Sequence, residues 1–316
     1  MMPRRIIVVG ASGFIGRYVV KRLAAEGAVI GACCRHAREA GYLRPMGDVG
    51  QVAVFNADIN DEAALAAVVA GADAVVNTVG ILFERGKQSF EAVHHQGPAR
   101  LARLAKAAGV RHFVHISALT ADPAAPAAYS RSKAAGEAAV RAVFPEAVIL
   151  RPSLVFGPED NFFNRFAAMA RYVPALPLIG GGTTKFQPVY VDDVAAAVAA
   201  TLTRADAAGR SFDLAGPAIF DLKQLFEMIL RFTGRRRLLI PLPFGLASFE
   251  AFFLELLPNP PLTRDQVRLL KQDAVAAPGA PGLAALGLSP TALELVLPAY
   301  LDRYRRAGRM AGTRLA

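Results

Sequence analysis

The 316-residue chain contains only two cysteines, Cys33 and Cys34, and they are neighbours. Adjacent residues are a poor pair for a structural disulfide, and no metal-ligand spacing surrounds them. The expected site therefore holds no metal, and nothing points to an oxidising compartment. The pair reads as two small residues at the end of a buried strand. No apolar run is long enough to span a bilayer as a helix, and no apolar h-region leads to a cleavage signal. A cytoplasmic chain is expected. Acid is also in short supply. There are 26 Asp and Glu against 36 Lys and Arg, a net charge of +10. That balance favours an acidic partner: nucleic acid, anionic lipid, a polyphosphate cofactor or an acidic protein. No recognition motif or aromatic-basic interleaving accompanies the charge, so nucleic acid is the weakest of these.

What the chain has in quantity is alternation. Ile6-Ile7-Val8-Val9 is a short apolar run suited to a parallel strand covered on both faces. A helical stretch from Arg17 to Glu26 follows, ended by Gly27, and Ala28 to Cys34 reads as the second strand. The pattern continues through Val52–Phe55, Asp61–Ala70, Ala74–Val76, Phe90–Ala108, Phe113–Ile116, Ala128–Val143 and Val148–Leu150. Such a succession predicts an α/β Rossmann fold, a doubly wound parallel sheet with a smaller C-terminal substrate-type lobe. Residues 1–150 are expected to form the dinucleotide-binding core. Residues 151–316 are expected to interleave the remaining core elements with the lobe.

Between the first strand and helix lies Gly10-Ala11-Ser12-Gly13-Phe14-Ile15-Gly16. Gly10 allows the tight turn, Gly13 lets backbone approach a pyrophosphate, and Gly16 lets helix and strand pack closely. The free N–H groups at the helix start can then hold phosphates. The second strand ends Cys33-Cys34-Arg35-His36-Ala37-Arg38, without the acid that would bind a ribose 2′-hydroxyl. Arg35, with Arg17 close by, suits a 2′-phosphate instead. The expected cofactor is NADP(H).

The Gly-x-x-Gly-x-x-Gly spacing resembles that of the extended and atypical short-chain dehydrogenases. The resemblance implies further cofactor contacts: Asp58 and Ile59 at the adenine, with helix or turn capping the alternative role for Asp58, and the Asn77-Thr78-Val79-Gly80 loop along the dinucleotide. Tyr129 and Lys133 stand four apart on one helix face. In that family such a pair transfers the proton, the ammonium stabilising the tyrosinate and binding the nicotinamide ribose. The family also places a hydroxyl at the end of the fifth strand. Here Ala118 occupies that position and Ser117 lies one residue earlier, where the side chain faces the other way. His94-His95 replaces the Asn-Val often found on the preceding helix, and reads as packing or surface rather than ligation. Arg151-Pro152 leads towards Phe156-Gly157-Pro158, which would bring Pro152 beside the nicotinamide. The dinucleotide site reads as complete and the catalytic site as eroded.

Four further segments narrow the resemblance: Tyr42 to Gln51, Phe144-Pro145-Glu146-Ala147, Gly157 to Asn164, and Thr263-Arg264-Asp265-Gln266-Val267. With them nearly the whole chain is similar to the NADPH-binding, dehydrogenase-like accessory subunits of respiratory complex I. That resemblance implies a structural NADPH and docking on the peripheral arm. Related proteins act in ubiquinone biosynthesis, so an active NADPH-dependent reductase or epimerase-like enzyme stays open, as does a sensor or assembly factor. Pro243 to Leu257 is strongly apolar, with Arg235-Arg236-Arg237 before it and Arg303, Arg305, Arg306, Arg309 and Arg314 at the chain end. This suits an interfacial helix on an anionic membrane surface, at the inner face of the cell membrane. An ordinary buried helix is the alternative.

Overall fold

Strand β1 (Arg5–Val9) has four residues in succession buried, as expected of a strand with helices on both faces. A computed structural model describes residues 4–305 and continues the alternation. There follow α1 (Phe14–Ala25), β2 (Val29–Cys34), β3 (Val52–Asn56), α2 (Glu62–Val69), β4 (Ala74–Asn77), α3 (Gly97–Ala107), β5 (His112–Ile116), α4 (Ala128–Val143) and β6 (Val148–Pro152). Then come β7 (Val155–Phe156), α5 (Phe163–Met169), β8 (Ala175–Ile179), β9 (Lys185–Phe186), β10 (Val189–Tyr190), α6 (Val191–Thr203), β11 (Ser211–Leu214), β12 (Phe220–Asp221) and α7 (Leu222–Thr233). The rest is β13 (Leu238–Leu242), α8 (Phe244–Leu254), α9 (Arg264–Leu269) and α10 (Leu293–Leu301).

The chain divides into two units. The first comprises residues 4–152, 191–214 and 277–289. It holds a seven-stranded sheet in the order β11-β6-β5-β4-β1-β2-β3, every pair parallel. This is the doubly wound Rossmann arrangement. Ile7, Val9, Val75, Phe113 and Ile149 share one core with Leu65, Leu101 and Val140 of α2, α3 and α4. On α1, Arg22 pairs with Asp192 of α6 at 3.1 Å. The order of the strands reverses between β1 and β4, so a crevice opens where their C-terminal ends part.

The second unit comprises residues 153–190, 215–276 and 290–316, of which 306–316 lie outside the described residues. Its core joins Phe156, Phe163, Leu176 and Leu178 to Leu225, Phe226 and Ile229 of α7 and Leu297 of α10. Asp160 is buried and binds the unit together. It accepts the Tyr300 hydroxyl at 2.6 Å and the Phe163 amide at 2.6 Å.

Two segments differ from the reading of the sequence. Helix α1 begins at Phe14, three residues before the expected start. The single helix expected from Phe90 is a π-helical turn over Glu91–Gln96 that runs into α3. Pro98 explains the second difference. It has no N–H to offer the carbonyl four residues earlier, that of His94. That carbonyl lies against α4 instead, where a Cβ on Gly136 would come within 2.0 Å of it.

Candidate functional site

The amides of Gly10 and Ala11 both donate to the Cys33 carbonyl, at 3.0 and 3.1 Å, and this turns the chain sharply out of β1. Gly10 has φ +86°, and a Cβ there would stand 2.8 Å from Thr78 Oγ1. A Cβ on Gly16 would meet the Gly10 carbonyl oxygen at 2.2 Å. Loop and helix therefore close only with glycine at both places. Gly13 caps α1 without a side-chain hydrogen bond, which leaves the amides of the first turn facing the crevice mouth.

The crevice is lined by Val9, Gly10, Ser12, Gly13, Cys34, Arg35, Ala57, Asp58, Ile59, Gln88 and the stretch Thr78 to Ile81. Gly10, Ser12, Gly13, Arg35, Asp58, Ile59, Val79 and Gly80 are thus brought together as expected. Phe14 and Ile15 lie beside them in the first turn of α1, and Gly16 serves packing. Arg35 is exposed at the rim. Arg17 is tied down: its guanidinium donates to Ser12 O at 3.1 Å and Gly13 O at 3.3 Å. Asp58 uses both oxygens within the protein, accepting from the Asn60 amide at 2.8 Å and Gln88 Nε2 at 3.2 Å. Asn77 is wholly buried; its oxygen accepts from the Val79 amide and its nitrogen donates to His115 Nδ1. It braces the lining loop from behind. Pro152 is buried at the end of β6, its carbonyl accepting from the Leu119 amide.

Tyr129 and Lys133 share one face of α4. Lys133 is buried and its ammonium donates to Ile116 O at 3.2 Å. A Cβ on Gly80 would lie 3.3 Å from that ammonium, so the pair adjoins the crevice. Burial pushes the Lys133 pKa down to about 8, against the pull of Glu137. Burial also pushes the Tyr129 phenol up to about 12. Ser117 is buried with its hydroxyl unpaired, and Ala118 holds the next position without one.

Four further side chains contribute, and two of them, His94 and Gln88, lie outside the dinucleotide motifs of the sequence. His94 is buried; its Nε2 accepts from the Ile81 amide at 3.0 Å, and its Nδ1 lies 2.9 Å from Ser132 Oγ. Ser132 in turn donates to the Tyr129 carbonyl. The His94 ring stacks on Phe90 and meets the Tyr129 ring edge-on at 5.4 Å. Burial and nearby Lys133 depress its pKa to about 2, so it is a neutral brace between lining loop and α4. Gln88 and Thr78 enter the lining from loops. Cys34 does so from the strand end, with its thiol buried. His95 lies outside, paired with Glu91 at 2.9 Å.

This geometry has its counterpart among known proteins. The model of the NAD dependent epimerase/dehydratase family matches residues 6–215. The chain belongs to that family. It is 39% identical over 94% of its length to NADH dehydrogenase [ubiquinone] 1 alpha subcomplex subunit 9 of Rattus norvegicus, covering 80% of that protein. The same-named mitochondrial protein of Arabidopsis thaliana is 36% identical over 97% of the chain, with 79% of that protein covered. A dTDP-glucose 4,6-dehydratase from Streptomyces venezuelae, solved with NAD bound, superposes with a TM-score of 0.73 at 20% identity, across 96% of this chain and 98% of that one. That likeness shows the fold. The family is NAD dependent, so its cofactor is a nicotinamide dinucleotide. The Gly10 and Gly16 cradle fits a pyrophosphate, and the buried Lys133 ammonium has donors to spare for a ribose.

In the second unit, α8 carries the apolar stretch, and one side of it joins a small core with Ile179 and Val267. Only Ala247 and Ala251 are buried, while Phe249 is 62% and Leu256 just beyond the helix 78% exposed. Phe252, Phe253, Leu246 and Leu257 are exposed with them. Arg264 lies over the Phe252 ring at 5.1 Å and Lys271 over Phe244 at 5.4 Å. Other basic residues are used internally. Arg235 and Arg237 donate to the carbonyls of Tyr304 and Ala170, Arg303 to Pro158 and Arg305 to Phe232. Arg306, Arg309 and Arg314 lie outside the described residues. Among the described residues no helix is long and apolar enough to cross a membrane.

Proposed function

We propose that the chain is a non-catalytic NADP(H)-binding accessory subunit, docked on the peripheral arm of respiratory complex I at the cytoplasmic face of the cell membrane. The observation that carries this is the extent of the likeness: 36% identity or more, across 94% of the chain or more, to proteins named as NADH dehydrogenase subunits. The cofactor choice rests on Arg35 at the crevice rim, with Arg17 beside the glycine loop and no acid at the end of β2. In this reading Gly10, Ser12, Gly13, Phe14 and Ile15 hold the pyrophosphate through backbone amides. Asp58 and Ile59 border the adenine, and Val79 and Gly80 border the chain of the dinucleotide, held by Asn77. Tyr129 and Lys133 receive the nicotinamide ribose, with Pro152 near the nicotinamide end. The bound nucleotide, if it turned over, would supply hydride transfer. The protein is poorly equipped to support it: the Tyr129 phenol is held protonated, Ser117 is buried, and Ala118 has no hydroxyl.

The exposed Phe249, Phe252 and Phe253 of α8, with the Lys271 ammonium nearby over Phe244, support contact with an anionic lipid surface, while Arg264 over Phe252 is paired with Glu255. The alternative of an active NADPH-dependent enzyme draws on the preserved Tyr129–Lys133 pair. Calorimetric titration with NADPH and NADH tests the cofactor assignment. Tighter binding of NADPH, with the preference largely erased in Arg35→Ala, is the expected result. Equal affinities in the unaltered protein would overturn it.

A further inference from the structure

The segment that follows β2 does more than connect it to β3. Its 3₁₀ turn, Gly41–Met46, buries Leu43 completely. Downstream, Gln51 donates to the carbonyls of Ala24, in the last turn of α1, and Ala28, just past its end, at 2.6 and 2.9 Å. Its own side-chain oxygen accepts from the Asp48 amide. The segment is thus pinned along α1, and Tyr42 stands over the other end of that helix. There the Tyr42 hydroxyl donates to Ser12 O at 2.9 Å. The Arg17 guanidinium lies 5.2 Å from the Tyr42 ring centroid, and it shares the Ser12 carbonyl with the Tyr42 hydroxyl. Ser12, Cys34 and Arg35 line the same crevice, so this cluster adjoins the end of β2 that carries Arg35.

A free arginine on a helix surface samples many rotamers, and binding a phosphate would order it at an entropic cost. Here that ordering precedes binding. Two backbone carbonyls and one aromatic face fix the guanidinium beside the phosphate-binding loop. Tyr42 itself is 41% exposed and contributes little to the core, so a purely packing role does not account for its contacts. We infer that Tyr42 is a specificity-determining positioning residue: it holds Arg17 in place to recognise the 2′-phosphate of NADP(H), and so raises selectivity over NAD(H) without touching the reacting atoms. The inference rests on the NADP(H) reading above. It adds that the segment after β2, and not the two arginines alone, sets the preference.

The test is the ratio of NADPH to NADH affinities in the full chain, measured by calorimetry for Tyr42→Phe, Tyr42→Leu, Arg17→Ala and the unaltered protein. Tyr42→Phe keeps the ring beneath the guanidinium and should keep most of the ratio. Tyr42→Leu keeps apolar bulk but not the π face, and should lower NADPH affinity roughly two- to fivefold with NADH little changed. Arg17→Ala should lower it by about tenfold or more. In the double variant Tyr42→Leu, Arg17→Ala, the tyrosine change should add nothing further, because its effect passes through Arg17. A merely structural Tyr42 would weaken both nucleotides by one factor and leave the ratio unmoved, which overturns the inference. A preference lost in Arg17→Ala yet intact in Tyr42→Leu overturns it while the cofactor reading survives. Equal affinities in the unaltered protein overturn both.

Discussion

If the Lys133 ammonium holds the nucleotide, binding must weaken as that ammonium loses its proton. Burial holds the free-protein pKa at about 8, well below the ordinary lysine value of 10.5. The sign follows from which form the ligand prefers. A ribose and an anionic nucleotide favour the charged lysine, so binding raises the pKa and takes up a proton above pH 8. Below pH 7 the group is charged in both states and affinity is flat with respect to it. At pH 9 only about a tenth of the free protein carries the proton, so affinity should fall about tenfold, or ~1.4 kcal/mol. The Tyr129 phenol, held up at about 12, does not titrate in this window. Dissociation constants for NADPH between pH 6.5 and 9.5, read by nicotinamide fluorescence, give the profile. Lys133→Met should bind more weakly and with no fall above pH 8, whereas Tyr129→Phe should keep the slope. A flat profile in the unaltered protein, or the same slope in Lys133→Met, would refute the role given to this lysine.

Three other expectations can be checked independently. His94 and His115 are both buried and held neutral, with pKa values depressed to about 2 and about 3 from the usual 6.5, so the unfolded state binds protons that the folded state does not. Stability contributed by their neutrality is present above pH 6.5 and lost as pH falls. At pH 5.5 the loss is about 1.4 kcal/mol for each, to be read from urea unfolding, and His94→Leu should reduce that pH dependence. Carbonyl and sugar-nucleotide substrates should elicit little or no NADPH oxidation, and Tyr129→Phe should impair complex assembly less than loss of nucleotide binding does; robust turnover abolished by Tyr129→Phe would identify a working reductase. Replacing Phe249 and Phe253 of α8 by Ser should leave stability nearly unchanged, since both side chains are more than half exposed. It should still weaken sedimentation with anionic vesicles by about 2–3 kcal/mol per ring, from ~100 Å² of apolar surface at ~25 cal/mol per Å²; unchanged sedimentation would remove lipid from the account.

The nucleotide-binding half of this protein is legible because its determinants are local. A run such as Ile6–Val9 and a glycine loop carry strand, turn and helix start within a dozen residues, and the sheet order follows from the repeated crossover. The features without a local signal depend on residues far apart in sequence. The π-helical turn before α3 needs Pro98 to free the His94 carbonyl and Gly136 to receive it. Gln88 reaches Asp58 across thirty residues, so the carboxylate expected at the adenine is partly spent before any ligand arrives. Helix α8 carries apolar residues on nearly every side, with only Ser248 and Glu250 among them, so no stripe marks its inner face. Packing chooses Ala247 and Ala251 for the inside and leaves the phenylalanines out. Tyr42 lies within the Tyr42-to-Gln51 segment that carries the resemblance, but nothing in its spacing points to Arg17.

Residence of the protein in complex I is read by fractionation of native membranes. Membranes washed at low and at high salt are separated by blue-native electrophoresis, probed for this chain, and the excised band is analysed for nucleotide. Charge attraction to lipid weakens with salt, whereas a dock built on apolar burial does not. Co-migration with complex I that survives the high-salt wash, with NADP(H) in the band, is the expected result. A chain found only in the soluble fraction, never with complex I, would contradict it and return the fold to a free NADPH-dependent enzyme.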